Sequence, residues 1–263
     1  MMIDLSGRTA LVSGSTQGIG YAIAERLARS GAHVVVNGRS ASTEDAAARL
    51  RTAVPDAAVT AVAADLSTAD GAAAMLDAMP RLDILVNNLG IFEAKPVLEI
   101  SDAEWTRFFE VNVLSAVRLI RLYLPGMMER GWGRVQSIAS DSAVVTPIEM
   151  VHYGMTKTAL LAVTRGYAKA AAGTGVTVNS VIAGPTHTAG VETFVGDLVG
   201  DDVPWDEAQR RFMREHRPYS LIQRLIEPEE IANMVAYLCS DQASATTGGA
   251  LRVDGGYVDA ILP

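Results

Sequence analysis

The sequence predicts an α/β fold in which a parallel sheet is covered by helices on both faces. Two features indicate this class. Seven short apolar runs alternate with amphipathic stretches, and no Pro/Gly/Ser-rich linker, low-complexity segment or further internal repeat marks a second domain. Strand, helix and strand in alternation form a parallel sheet. Because 263 residues, 49% of them hydrophobic, suffice for one large core, we assign residues 1–263 to a single domain.

The seven apolar runs are the predicted strands. Several are apolar throughout instead of alternating, which is typical of strands buried on both faces of a sheet. In chain order they are Thr9 to Val12, His33 to Val36, Val59 to Ala63, Ile84 to Val86, Val135 to Ile138, Val176 to Val181 and Ala250 to Val253.

Signals for helix starts lie between these runs. Ser67 and Asp70, three residues apart, resemble a capping box in front of a helix. Pro228 occupies a favourable first helical position before the sequence EEIANMVAYLC. Only residues 189–217 break the alternation, and we expect this irregular segment to be an insertion that lies over the sheet.

Charge and composition narrow the functional classes. The formal net charge of −8, without a basic run, argues against nucleic acid or an anionic membrane as the main partner. The lone Cys239 allows no internal disulfide, and neither it nor the four histidines have metal-ligand spacing. The N-terminal sequence does not resemble a signal peptide, and no apolar run is long enough to span a membrane. We therefore expect a cytoplasmic protein without a metal.

A glycine-rich turn follows the first predicted strand and precedes a helix. Its sequence is Ser13-Gly14-Ser15-Thr16-Gln17-Gly18-Ile19-Gly20, with the spacing G-x-x-x-G-x-G. Glycines let the backbone approach a pyrophosphate closely, and the positive N-terminus of the helix favours the phosphate charge. Because this is the usual phosphate site of a parallel sheet, we interpret residues 14–20 as dinucleotide-binding, with an ordinary glycine-rich turn as the alternative.

Tyr153 and Lys157 lie four residues apart in a strongly helical stretch. At this spacing both side chains lie on one face of the helix, so the ammonium can act on the phenol. A free phenol has a pKa of about 10, and a nearby cation favours its deprotonated form. The pair indicates an acid/base site, although polar pairs at this spacing also occur on ordinary helices.

Together, these motifs resemble the short-chain dehydrogenase/reductase family. The resemblance extends from about Gly7 to Gly256 and implies a doubly wound, Rossmann-like, seven-stranded parallel sheet in a three-layer α/β/α domain. The matching motifs, in the family's order and spacing, are Gly14-x-x-x-Gly18-Ile19-Gly20, Asn87-Asn88-Leu89-Gly90, Asn112, Ser140 and Tyr153-x-x-x-Lys157. Ser140 precedes Tyr153 by thirteen residues, as the family's catalytic serine does.

The resemblance implies a catalytic set of four residues. Tyr153 is the expected acid/base. Lys157, together with an oxidised nicotinamide, is expected to lower the pKa of Tyr153, and Lys157 is also expected to hold the nicotinamide ribose. Ser140 is expected to hydrogen-bond the substrate oxygen. Asn112 is expected to tether a water that links Lys157 to solvent, with a satisfied buried amide as the alternative.

The resemblance also implies a nicotinamide cofactor, and the end of the second strand indicates which one. An NAD-preferring site has a carboxylate about twenty residues beyond the glycines, but Gly38 occupies that position. The next residue, Arg39, offers a planar fork of donors to a 2′-phosphate, unless it is only a solvated surface cation. Because the family's second basic position holds uncharged Gln17, we expect NADP(H) to be preferred over NAD(H) without exclusivity.

Further cofactor contacts follow from the same resemblance. Besides residues 14–20, Arg39, Tyr153 and Lys157, the implied cofactor-binding residues are Asp65, Leu66, Asn88, Gly90, Thr186 and Thr188. Two departures from the family's usual residues affect this region. Leu89 is expected to narrow the pocket near the cofactor, and Ala183 is expected to loosen the turn that carries Thr186 and Thr188.

We therefore predict an NADP(H)-dependent oxidoreductase that interconverts a carbonyl and a secondary alcohol in a small-molecule substrate. A 3-oxoacyl-thioester reductase, acting on acyl carrier protein or CoA esters, is the alternative within the class. A non-catalytic cofactor-binding scaffold is the alternative from a different class, and the intact Ser140, Tyr153 and Lys157 count against it. We also expect a homodimer or homotetramer that forms through the helices holding Asn112 and Tyr153.

By position, residues 189–217 are expected to close over the substrate as a lid. Four of its side chains are expected to line an apolar pocket: Phe194, Leu198, Trp205 and Phe212. The lid also carries five carboxylates: Asp197, Asp201, Asp202, Asp206 and Glu207. Because these repel anions, neutral or apolar carbonyl compounds are the expected substrates.

Overall fold

The structure is a computed structural model that describes residues 3–200 and 202–261. Within these residues the strands are β1 Thr9–Val12, β2 His33–Gly38, β3 Val59–Ala63, β4 Ile84–Asn87, β5 Gly133–Ser140, β6 Val176–Ala183 and β7 Ala250–Val253. They form one fully parallel sheet in the order β3-β2-β1-β4-β5-β6-β7. The predicted fold class is confirmed, and β1, β3 and β7 have the predicted bounds.

Helices cover both faces of the sheet. The α-helices of the described residues are α1 Gly18–Arg29, α2 Ser42–Ala53, α3 Ala69–Ala78, α4 Asp102–Phe109, α5 Ser115–Glu129, α6 Val151–Ala170, α7 Ala189–Val199, α8 Trp205–His216 and α9 Pro228–Cys239. Successive strand residues point to opposite faces. Val34 and Val36 accordingly pack in one core with α1, α2 and α9, whereas Val35 packs in a second core with α3, α5 and α6.

The strand order fixes where a ligand can bind. The chain proceeds outward from β1 to β2 and β3, then returns to β4 on the other side of β1. The connections after β1 and β4 therefore leave in opposite directions and open a crevice at the carboxyl ends of these strands. The glycine-rich turn and Asn88 follow these two strand ends, at the mouth of the crevice.

Of the two predicted helix starts, one is confirmed and one is wrong. Pro228 is the first residue of α9, and Glu227 and Glu230 form a capping box there. At α3, however, the N-cap is Thr68, whose hydroxyl accepts a bond from the Gly71 N–H at 3.0 Å. Ser67 does not cap the helix because its hydroxyl donates to Asp65 Oδ1 at 2.6 Å.

The segment predicted as an irregular lid folds into two helices, α7 and α8. Its apolar residues recur every four positions, at Val195 and Val199 and again at Ala208 and Phe212, which is a helical period. These side chains form a third, smaller core. Asp201, one of the predicted lid carboxylates, lies outside the described residues. None of the helices described is both long and apolar enough to cross a lipid bilayer.

Candidate active site

The glycine-rich turn adopts a conformation that only glycine tolerates well. Gly14 and Gly18 have φ angles of 60° and 57°, in the left-handed region. A Cβ atom on Gly20 would lie 2.4 Å from the Gly14 carbonyl oxygen. The turn therefore leaves a close-packed backbone surface at the N-terminus of α1, which suits a pyrophosphate.

Side chains from neighbouring strands hold this turn in place. The Ser13 hydroxyl accepts bonds from the N–H groups of Asn88 and Leu89, both at 3.0 Å. The Asn88 amide donates to the carbonyls of Ser13 and Gly14, both at 3.0 Å, and Asn37 Oδ1 accepts from the Gly14 N–H at 3.2 Å. Polar groups from β2 and from the ends of β1 and β4 thus fix the conformation of the glycine-rich turn.

Most of the predicted site residues meet in one cleft of about 300 Å³ at the carboxyl end of the sheet. Those lining it are Gly14, Gln17, Gly18, Ile19, Gly20, Asn88, Gly90, Ser140, Tyr153, Lys157, Thr186 and Thr188. Thr188 lies across from the turn, because a Cβ on Gly18 would be 3.2 Å from its methyl carbon. The cleft therefore places the predicted catalytic groups beside the predicted phosphate site.

Five predicted cofactor contacts lie outside this cleft: Ser15, Thr16, Arg39, Asp65 and Leu66. The Ser15 hydroxyl is buried and donates to the Val12 carbonyl at 2.7 Å, so it stabilises the turn from below. The Leu66 side chain packs in the core, and any contact that it makes with a cofactor must come from its backbone. Asp65 accepts bonds from the backbone and hydroxyl of Ser67.

Tyr153 and Ser140 both line the cleft. The Ser140 hydroxyl donates to Asp141 Oδ1 at 2.9 Å and accepts the Ser142 N–H at 3.1 Å. Within the protein alone, burial raises the pKa of Tyr153 to about 12, whereas the predicted lowering depends on an oxidised nicotinamide as well as on Lys157. The physical reason is that desolvation of the phenolate outweighs the charges that the protein places near it.

Lys157 lies beneath Tyr153 without bonding to its hydroxyl. The ammonium Nζ is 5.6 Å from the centre of the phenol ring and donates to the Ile138 carbonyl at 2.8 Å. Burial lowers the pKa of Lys157 to about 8. A Cβ on Gly90 would lie 3.4 Å from this Nζ, so a side chain there would crowd the ammonium.

Asn112 lies behind the cleft in a π-helical turn, Glu110–Leu114, between α4 and α5. Its amide accepts a bond from the Ile91 N–H at 2.8 Å and donates to the Ile91 carbonyl at 2.9 Å and to the Thr156 hydroxyl at 3.0 Å. These are the contacts of a satisfied buried amide, the alternative reading of this residue. A π turn within a helix is frequent at functional sites.

The lid contributes only part of its predicted lining. Phe194 and Phe212 line the cleft, whereas Leu198 packs beside the lid's own core and Trp205 stacks on His187 at 5.3 Å between ring centres. Leu89 was expected to narrow the pocket, but it packs against the second core and does not line the cleft.

Several further groups that the sequence does not predict line or flank the cleft. Phe92 contacts Tyr153 edge to face at 6.2 Å between ring centres. Asp141 and Arg217 are buried and line the same cleft. Arg49 of α2 donates to the Thr16 carbonyl of the glycine-rich turn at 2.6 Å. Asp141 follows Ser140 directly, which was a usable signal, whereas nothing in the local sequence marks Arg49 or Arg217.

Comparison with known proteins identifies the family. A family model described as Enoyl-(Acyl carrier protein) reductase matches residues 14–258. The "Uncharacterized oxidoreductase YvaG" of Bacillus subtilis (strain 168) is 49% identical to this chain, and the alignment covers 100% of both. The chain belongs to the short-chain dehydrogenase/reductase family.

Two further relatives place it among oxidoreductases of carbonyl and alcohol groups. The "3-oxoacyl-[acyl-carrier-protein] reductase FabG" of Aquifex aeolicus (strain VF5) is 32% identical, over 97% of this chain and 99% of the relative. The crystal structure of L-sorbose reductase from Gluconobacter frateurii, complexed with NADPH and L-sorbose, has a TM-score of 0.92 and 33% identity, over 99% and 100% of the two chains. The chain is thus an oxidoreductase that acts on CH–OH or C=O groups.

Proposed function

We propose that the enzyme reduces a ketone to a secondary alcohol, and catalyses the reverse reaction, with NADPH as cofactor and Tyr153 as the acid/base. The convergence of Ser140, Tyr153 and Lys157 on one cleft with the glycine-rich turn carries this proposal. A proton donor, a hydrogen-bond donor and a cation beside a dinucleotide site are the groups that reduction of a carbonyl requires.

Tyr153 acts as the proton donor in the direction of reduction. With a pKa of about 12, its phenol is fully protonated at neutral pH and can deliver a proton to the developing alkoxide. In the reverse direction the phenol must first lose that proton. Lys157, with Nζ 5.6 Å from the ring centre, is the cation placed to favour the phenolate.

Ser140 holds the substrate oxygen. A hydroxyl has one proton, so Ser140 releases Asp141 when it donates to the substrate. Asn112 fixes the backbone of Ile91 and the Thr156 hydroxyl close to Lys157, and we assign to it the support of a water that links this lysine to solvent.

The residues of the cleft fit the cofactor. When bound, NADPH supplies the hydride. The tight turn at Gly14, Gly18 and Gly20 leaves room for the pyrophosphate, and Lys157 lies in position to hold the nicotinamide ribose. Thr186 and Thr188, on the opposite wall, are assigned to the nicotinamide carboxamide.

We assign Arg39 and Arg49 to the 2′-phosphate of the cofactor. Arg39 is exposed and forms no ion pair with any residue that the structure describes. It follows Gly38, and a Cβ on Gly38 would lie 2.5 Å from Thr16 Cγ2, so the end of β2 touches the glycine-rich turn. Arg49 donates to the Thr16 carbonyl of the same turn. Two arginines whose backbone or side chain lies near this turn support a preference for NADP(H) over NAD(H), as does the likeness to an enzyme crystallised with NADPH.

A 3-oxoacyl-thioester reductase remains the second candidate, and the similarity to the Aquifex aeolicus enzyme supports it.

We also propose that the enzyme is a homodimer or homotetramer. Phe109 is exposed, and Leu114 of the neighbouring π-helical turn is half-buried, so the α4–α5 region offers apolar surface to a second copy.

The test is a panel of ketones, alcohols and 3-oxoacyl thioesters with NADPH or NADP⁺, followed by nicotinamide absorbance. We expect the enzyme to reduce at least one free ketone, and Tyr153→Phe to serve as the inactive control. Reduction of thioesters alone would select the second candidate. If no compound of the panel is turned over, the proposal fails.

A further inference from the structure

The substrate end of the cleft contains two buried groups of opposite charge that do not form an ion pair. Asp141 is 4% exposed and Arg217 is 5% exposed, and both line the cleft. The ion pair that the described residues show for Arg217 is with Glu149, at 3.9 Å. A buried charge is costly unless it is paired or hydrogen-bonded, so this arrangement needs a physical reason.

Asp141 lacks part of its hydrogen bonding. Its Oδ1 accepts the Ser140 hydroxyl at 2.9 Å and the Ser142 hydroxyl at 3.4 Å. Its Oδ2 has no partner among the described residues although it is buried. When Ser140 turns its single proton to the substrate oxygen, Oδ1 loses its shorter bond as well. The carboxylate then needs donors that a bound substrate can supply.

Arg217 also has guanidinium N–H donors that the described residues leave unbonded. Its ring contacts are with Phe212 and Tyr257, at 5.2 and 5.7 Å from the ring centres, and these hold the guanidinium in place. Within the described residues its side chain donates to the His216 carbonyl at 2.7 Å and faces Glu149 at 3.9 Å. A guanidinium has five N–H donors, so most of them remain for a ligand.

The two charges together restrict the chemistry of the substrate. A carboxylate would be attracted by Arg217 but repelled by Asp141, and an ammonium group would meet the reverse. A purely apolar substrate would remove water from both groups and leave them unpaired. A hydroxyl both donates and accepts, so hydroxyl groups can bond to the carboxylate and to the guanidinium at no net charge.

We propose that the cleft selects neutral polyhydroxylated ketones, with Asp141 accepting and Arg217 donating hydrogen bonds to hydroxyl groups near the reacting carbonyl. The inference rests on the proposed ketone reduction and adds its substrate class. Phe92, Phe194 and Phe212, which line the same cleft, provide apolar surfaces for the C–H faces of such a molecule.

The test compares substrates that differ only in hydroxyl groups. Erythrulose and butanone have the same carbon chain, and fructose extends the series to a larger ketose. We expect kcat/KM with NADPH to be at least ~100-fold higher for the better ketose than for butanone, because a site built to bond hydroxyls rejects analogues that lack them.

Two variants test the charged groups through the ratio of kcat/KM for the ketose to kcat/KM for butanone. Asp141→Asn keeps the shape of the side chain, and we expect it to lower this ratio roughly tenfold or more. Arg217→Lys keeps the charge but loses the planar set of guanidinium N–H donors, so it should also lower this ratio.

Asp77→Asn is the matched control, because Asp77 is an exposed carboxylate on α3 outside the cleft, and this variant should leave the ratio unchanged. Melting temperature and NADPH affinity of each variant show that it is folded. Equal efficiency with butanone and the ketoses, or an unchanged ratio in Asp141→Asn, would overturn the inference while ketone reduction stands. A chain that reduces neither kind of ketone would overturn both.

Discussion

The two ends of the cleft are built in different ways. At the cofactor end, Ser13 and Asn88 bond to each other's backbone and Asn37 accepts the Gly14 N–H, so the protein's own hydrogen bonds hold the turn in place. At the substrate end, Asp141 and Arg217 are buried with hydrogen-bonding capacity unused. This difference agrees with the proposed function, in which one end holds the same cofactor in every turnover and the other end recognises the substrate.

Tyr153 lies where the two ends of the cleft meet, and its substitution should have the largest effect on turnover. Tyr153→Phe removes the proton donor but keeps the ring that contacts Phe92. We expect kcat to fall by about 10²-fold or more, in the range for general acid/base catalysis, while NADPH affinity and melting temperature stay near those of the parent.

Steady-state kinetics and a cofactor titration check this prediction. If the variant loses cofactor affinity instead of turnover, Tyr153 belongs to the cofactor end alone, and the division of the cleft at this residue is wrong.

The two ends also differ in how far the sequence predicts them. The cofactor end uses consecutive residues and backbone groups, so Gly14, Gly18 and Gly20 are visible as a motif. The substrate end depends on side chains from distant segments, such as Phe92 and Arg217, which meet only through packing of α7 and α8. The inner strands β1, β2, β4, β5 and β6 could be predicted because most of their side chains are buried, whereas the edge strands β3 and β7 are half-buried and could be predicted only as apolar runs.

Smaller errors have the same origin. Thr68 and not Ser67 caps α3, because the Ser67 hydroxyl donates to Asp65 instead. The local sequence does not decide which of the two neighbouring hydroxyls caps the helix. The rise in the pKa of Tyr153 that burial causes could not be predicted from the sequence, because the spacing of Tyr153 and Lys157 does not reveal burial.

Lys157 is a buried charge at the junction, and we expect it to lower the stability of the fold. Its pKa is lowered from 10.5 to about 8, so the folded chain binds fewer protons than the unfolded chain between these pH values. The free energy of unfolding therefore rises with pH in that window, and the full cost of the charge is present below about pH 8.

Replacement by an apolar side chain should reveal this cost. Lys157→Met should raise the free energy of unfolding at pH 7 by up to about 3 kcal/mol, from a shift of about 2.5 pKa units, while turnover is lost. The gain should shrink between pH 8 and 10.5. Denaturant unfolding across this pH range is the measurement, with Lys169→Met, an exposed lysine of the same helix, as control. A destabilised Lys157→Met at pH 7 would contradict the prediction.

Arg39 tests whether the cofactor end distinguishes its ligand by charge. Arg39→Ala should weaken NADPH binding roughly ten- to a hundredfold, which corresponds to about 1.5–3 kcal/mol for hydrogen bonds to a charged group, and change NADH binding little. Arg49→Ala should act in the same direction.

Arg51→Ala is the matched control, because Arg51 lies on the same helix as Arg49 but bonds to Glu44 and to the Val59 carbonyl. Dissociation constants for both cofactors at fixed ionic strength are the measurement. An equal loss for NADPH and NADH would remove Arg39 as the reader of the 2′-phosphate.

Thr188 connects the two ends, and its substitution should have the smallest effect. Its hydroxyl caps α7 by accepting the Val191 N–H at 3.2 Å, and its methyl carbon lies 3.2 Å from where a Cβ on Gly18 would be. Loss of an N-cap hydroxyl costs about 1 kcal/mol, so Thr188→Ala should make amide hydrogen exchange in α7 about fivefold faster. Exchange in β5 should stay unchanged, because its amides lie in the centre of the sheet.

Thr188→Ser is the control variant, because it keeps the cap and should behave like the parent in α7. Bound NADPH should slow exchange in the parent lid more than in Thr188→Ala, because the threonine lies between the turn and the lid. If Thr188→Ser and Thr188→Ala accelerate α7 equally, the methyl contact and not the cap joins the lid to the cofactor end.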